Sequence, residues 1–391
     1  NYNVAVGDEA GTAITTGDGN VALGYGALLA EDTGLYSTAL GYEALANQNN
    51  NASNYNVAVG TQAGRAVTTG VQNTFIGGLA GDALNDADSN VALGYAALST
   101  DTRGSKSTAI GWASLNSQNF TTAADSFNTA VGFQSGMVVT TGIRNTLMGG
   151  EAGDALTDAD DNVAIGALAL SGDTLGSKST AIGRGALKTQ NFTTATDTYN
   201  TAVGHSAGEF LTTGTQNTLI GGLAGDAQTT SSGNTALGYA SLTDNVLGSN
   251  SVAIGRNALN AQNPATATDM YNVAVGNNCG EAITTGAQNT FVGGQAGDGT
   301  DDGNNNTAVG YLALSANCGS HNTAIGQFAS SVCTGANNTS LGSNSAAALT
   351  SGSNNLLLGV DAGRTGSPGG NYTNGSNAMT LGDESIANAY I

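Results

Sequence analysis

The sequence predicts an all-β chain folded as a parallel β-solenoid, a β-roll of about 17 residues per turn. Three observations point there. A five-residue unit occurs 22 times, most copies 17 residues apart: Asn or Ser in all copies but the last, a residue that is most often Val or Thr, a middle residue, an aliphatic residue and glycine. Residues 3–7 (Asn-Val-Ala-Val-Gly) are the first copy and residues 322–326 a late one. Within each copy the alternation has period two, as in a strand. The 59 glycines and the density of Asn oppose any long helix.

Each position of the unit has a physical reading. The opening Asn or Ser hydrogen-bonds neighbouring backbone or stacks in a ladder with its copies on adjacent turns. The first strand residue is Val or Thr in most copies, similar in shape and both β-branched. The closing glycine sits where the backbone turns sharply or leaves no room for a Cβ. Three residues later stands a small side chain: Ala, Ser or, once, Cys279. The middle residue is Ala in 15 of the 22 copies. A row of alanines lets another sheet approach closely, and we read it as the contact between identical chains, intertwined or side by side, in a homotrimeric fibre. The proposed trimer-axis contacts are Ala5, Ala22, Ala58, Phe75, Ala92, Leu147, Leu219 and Phe291. The alternative is a thin monomeric solenoid with an exposed alanine face, which buries little apolar area per residue.

The turns themselves repeat. Glycines 60, 132, 204 and 276 are 72 residues apart, and each block holds four turns. The first turn ends in Thr-Thr-Gly, and the second has a large middle residue: Phe75, Leu147, Leu219 or Phe291. At those positions the interface widens, or apolar plugs fill the axis. The fourth turn opens with serine (Ser107, Ser179, Ser251) and leads into a longer loop that projects sideways. Residues 1–366 form the shaft, and residues 367–391 form a Gly, Ser and Asn-rich linker and connector. About 22 stacked turns would rise roughly 100 Å.

A formal charge of −20 argues against nucleic acid or an anionic membrane as partner. No run of 18 apolar residues exists, so insertion of a helix into a membrane is not expected. The chain begins inside a repeat, which reads as a fragment or a processed product. No enzyme site emerges and no cofactor is called for. His205 occupies a variable outward slot after a motif glycine, and His321 stands alone in an Asn and Ser-rich turn. Cys279 fills a packing slot; Cys318 and Cys333 lie about one turn apart and leave a disulfide open. The loops with Asp82, Asp86 and Asp88, with Asp154, Asp158, Asp160 and Asp161, and with Asp298, Asp301 and Asp302 offer oxygen ligands to Ca²⁺. Solvated negative loops are the plainer account. Tyr25, Tyr42, Tyr95, Trp112, Phe133, Tyr239 and Tyr311 share the slot after the glycine, where they cover seams between chains or stack on sugar rings.

The repeated Asn/Ser-x-Ala-aliphatic-Gly unit resembles both the head repeats of trimeric autotransporter adhesins and the repeats of phage tail-fibre shafts. The stretch from Met379 to Ile391 is similar to the segment preceding an endosialidase-type intramolecular chaperone in phage fibres. These resemblances imply a homotrimer of left-handed parallel β-rolls. They also imply a virion protein, extracellular, that attaches to a host through a cell-surface receptor, with a glycan as one candidate. The second expectation is the head of a bacterial adhesin at the cell surface. Lower stand a glycan-cleaving tailspike and an ice-binding solenoid, which would need Thr-x-Thr on one flat face of every turn.

Overall fold

The computed structural model describes residues 2–367 and 370–383. Residue contacts divide the chain into two units, Asn1–Tyr199 and Asn200–Ile391. Each is a parallel β-solenoid, and no helix occurs among the described residues. The first unit carries eleven three-residue strands, from Val4–Val6 to Thr180–Ile182; the second carries eleven, from Thr201–Val203 to Met379–Leu381. Within a unit each strand pairs in register with the strand one turn on, as in Val91↔Thr108, Ala92↔Ala109, Leu93↔Ile110. The last motif obeys the same rule, Leu357 pairing with Thr380. Two-residue strands in the longer loops add side ladders, Gly104–Ser105 with Ala124–Asp125 and Gly248–Ser249 with Thr268–Asp269.

The closing glycine sets the spacing of the turns. Gly94 has φ +137°, and a Cβ on it would lie 2.3 Å from the carbonyl oxygen of Gly111 in the next turn. Gly238 repeats this against Gly255 at 2.5 Å. Backbone occupies the space a side chain would need, so no rotamer relieves it.

The opening asparagine ties the turns together from inside. Asn73 Oδ1 accepts from the backbone N–H of Asn90 at 2.9 Å, and Asn73 Nδ2 donates to Ala87 O at 2.8 Å. Asn90 repeats both bonds, accepting from Ser107 N and donating to Gly104 O. In the second unit Asn289, Asn306, Asn322 and Asn338 form the same ladder. All of these side chains are buried.

Where Ser37, Ser107 or Ser179 opens the turn, a buried carboxylate and glutamine replace the missing amide; at Ser251, Asn245 stands in the place of the carboxylate beside Gln262. Asp101 is fully buried and accepts from the N–H groups of Gly104 and Phe120 and from Gln118 Nε2. Gln118 donates to Ser107 Oγ, and its oxygen accepts from Asn128 Nδ2. Asp173 with Gln190 repeats the arrangement, and Glu31 with Gln48 approximates it. Neutral donors satisfy these carboxylates without a cation, as a buried charge requires.

The alanine row points inward. Ala22, Ala58, Ala92, Phe75, Leu147, Leu219 and Phe291 have no exposed surface, and only Ala5 in the first turn is open. This corrects the trimer-axis assignment: a side chain enclosed by its own coil has no surface to offer another chain. The opposite wall is made by the small residues after the glycine, such as Ala63, Ala80 and Ala97, also fully buried. The coil is thin, so interior volume is traded between positions. Where the middle residue is Ala92 or Ala109, the fourth residue after the glycine is Leu98 or Leu115. Where it is Phe75, that fourth position is glycine both in its own turn and in the turn before. A Cβ on Gly81 or Gly64 would lie 2.5 or 2.6 Å from the Phe75 ring. Phe291 sits over Gly297 and Gly280 in the same way. The 72-residue block is thus a packing period, and the large residues fill the coil rather than an axis between chains.

Gly94→Ala is expected to destabilise the first unit by roughly 3 kcal/mol or more, since strain and backbone overlap add. Gly81→Ala should also destabilise, and Phe75→Leu should rescue it only in part, since a Cβ on Gly153 would still lie 2.8 Å from Leu147 in the next block. Urea unfolding of the single and double variants reads both effects. No change in the Gly94→Ala midpoint would contradict the stacking described.

Candidate interaction surface

Because the middle residue faces in, the residues flanking it face out. In each unit the first and third strand positions form two parallel columns on one flat sheet. The first column holds Val or Thr in every turn but the last two, Leu356 and Met379; the third holds only Val, Leu, Ile and Met. Neither column contains a charged residue. Leu23, Leu93 and Met148 in the first unit are about 40% exposed (40%, 39% and 41%), and Leu341 in the second is 50% exposed. Such a continuous, uncharged, partly aliphatic strip stands out on a chain of net charge −20.

Two further outward columns border the strip. After the glycine come the aromatics expected there, all exposed. Several stack along the coil: Tyr25 on Tyr42 at 5.4 Å and Trp112 on Phe133 at 5.1 Å between ring centres. That occupies one face of each ring. Before the opening Asn runs a second column, which the sequence analysis did not single out. Tyr36 stacks on Tyr55 at 5.3 Å, and Lys106 lies over the Phe127 ring at 5.1 Å. Lys106 also pairs with Asp125 at 2.5 Å, and Lys178 pairs with Asp197 while lying over Tyr199. In the second unit Asn250 donates to Asp269, which also accepts from the Tyr271 hydroxyl. The signal was available: Tyr55, Phe127, Tyr199 and Tyr271 are 72 residues apart.

The acidic loops resolve into separate pairings. Asp88 Oδ1 accepts from Val71 N, and Asp160 Oδ1 from Ile143 N, each at 2.8 Å. Asp158 accepts from Thr141 Oγ1 and Asp301 from Thr284 Oγ1. Arg144 clasps Asp161 through Nε and a terminal nitrogen at 2.6 and 2.9 Å, which holds that carboxyl below its ordinary value. Asp86 faces Arg103 at 3.9 Å. Among the described residues no group of three or more His, Cys, Asp or Glu converges as a metal site. His205 and His321 lie on the exposed surface. The three cysteines are buried free thiols; burial pushes Cys279 up to about 12 and Cys333 to about 11. Among the described residues no helix is long and apolar enough to cross a membrane.

One acidic position does recur with an unusual setting. Asp82, Asp154, Asp226 and Asp298 each bury Oδ1 without a hydrogen-bond partner. Burial raises all four carboxyls, Asp226 and Asp298 to about 6. Asp244 and Glu209 add to the rise at Asp226, and Glu281 to that at Asp298.

Comparison with protein-family models and with curated proteins finds no match to this chain.

Folding raises the Asp226 pKa above its unfolded value near 3.9. Its stabilisation is therefore full below that value and lost as pH rises through about 6. Asp226→Asn should raise the melting temperature at neutral pH, the gain vanishing near about pH 4. A gain that is independent of pH would contradict this.

Proposed function

We propose that this chain is a structural and receptor-binding fibre protein of a bacteriophage, a homotrimer that presents repeated surface features to a host cell. The observation that carries the reading is the uncharged strip of outward strand residues. An acidic chain meets copies of itself at little cost along a face without carboxylates, where aliphatic area is removed from water. The contact surface is then the third strand column, with Ile76, Leu93 and Met148, in place of the middle row, and the first column stays open. The projecting segments 121–123, 193–195 and 265–267 are exposed in every copy. Their anchors, Phe120, Phe192 and Pro264, are buried, so each exposed segment is held at a fixed place. Three chains bearing such segments would add weak receptor contacts by avidity. The head of a trimeric adhesin uses the same architecture. A heptad stalk and membrane strands encoded beyond Ile391 would favour it, and a serine-containing junction with a chaperone would favour the phage fibre.

Sedimentation equilibrium should return three chain masses. Ile76→Asp with Met148→Asp, which sets carboxylates on exposed strip positions, should return one chain mass with the β-rich circular dichroism retained. A single chain mass for the unaltered protein would overturn the trimer and leave the strip open to solvent.

A further inference from the structure

Charge is spread along most of the chain, but residues 303–360 contain no Asp, Glu, Lys or Arg at all. The next longest uncharged interval, residues 44–64, is far shorter. In this part of the second unit the column before the opening Asn changes character. Elsewhere it holds Tyr, Phe, Lys, Arg, Gln, Asp, Ser or Gly and a single asparagine, Asn250; here it reads Asn305, His321, Asn337 and Asn354, continued by Asn377 in the last motif. The left-handed backbone at these positions does not demand asparagine, because Tyr271 and Gln288 adopt the same φ (+51° and +61°) in earlier turns. Beside the column runs an open groove of about 440 Å³ lined by Asn337, Thr339, Asn354, Leu356, Asn377 and Met379. Asn354 Nδ2 donates to Asn377 Oδ1 at 2.7 Å. That rung uses one N–H of an amide that lines the groove and leaves the other N–H and the oxygen available to a ligand.

We infer that this groove binds a neutral glycan, a deepening of the receptor-binding reading on which it rests. Primary amides supply a donor and an acceptor to each hydroxyl pair, Thr339 adds a hydroxyl, and Leu356 and Met379 offer apolar area to the C–H faces of sugar rings. The rungs recur at the strand spacing, about 4.8 Å, which is close to the length of one pyranose ring in an extended chain. Asn337, Asn354 and Asn377 therefore match successive rings. No Lys or Arg lines the groove, so an anionic glycan has no cation to pair with there, while the net negative charge of the chain repels it.

The test is calorimetric titration of the full chain with linear neutral gluco- and manno-oligosaccharides, beside an oligosialic acid as the anionic probe. A neutral probe should bind with little dependence on salt. The double variant Asn337→Gly with Asn354→Gly, which keeps the left-handed backbone while deleting two amides, should weaken binding at least tenfold. Its melting curve and sedimentation mass should be unchanged. No binding by either neutral series, equal binding by the variant, or preference for the anionic probe would each overturn the inference. A trimer that fails to bind overturns the glycan site alone, and a monomer that binds overturns the trimer alone.

Discussion

Everything in this fold follows from how closely one turn lies on the next. The closing glycines place backbone against backbone, with the Gly111 carbonyl where a Cβ of Gly94 would be. At that distance the strands pair in register, and the opening asparagines reach both an N–H and a carbonyl of the following turn. The same geometry makes the coil thin. A thin coil has room for alanine facing alanine, or for one large side chain over two glycines, and for little else.

Thinness then governs the surface. With alanine inside, the larger aliphatic residues of each strand have nowhere to go but out, contrary to the usual partition of size and burial. An acidic protein is left with a strip of strand residues that carries no charge, the strip we propose as the meeting place for copies of the chain. In the bordering columns, stacked rings and ion pairs run from turn to turn. Toward the end of the second unit the charges cease and amides replace them. The fold thus separates a face suited to self-association from edges whose chemistry varies along the chain.

Much of the architecture was legible in the sequence, since a 17-residue period with two-residue alternation admits few folds. Which side of the strand faces inward was not. Alternation is symmetric, and the apolar character of Val4 and Val6 gives no less reason to bury them than Ala5. The deciding clue lay outside the strand: Leu98 and Leu115 fill the interior in turns with alanine, and Gly64 and Gly81 vacate it for Phe75. Asp101 and Gln118 escaped notice because a carboxylate held by neutral donors leaves no partner of opposite charge in the sequence. Their recurrence as Asp173 with Gln190 was the available sign. The acidic loops looked like ligand sets because sequence proximity suggests convergence, whereas successive turns draw their carboxylates to separate donors.

The most direct test of the account is hydrogen exchange, resolved by residue, at the backbone N–H of the opening residues Asn73, Asn90, Ser107, Asn306, Asn322 and Asn338. Each of these N–H groups donates to an asparagine side chain of the turn before. The account predicts protection equal to that of the adjacent strand residues, with Asn73→Gly exposing the N–H of Asn90 and leaving distant turns protected. Rapid exchange at the opening residues while the strands stay protected would show that the asparagine ladder does not join the turns.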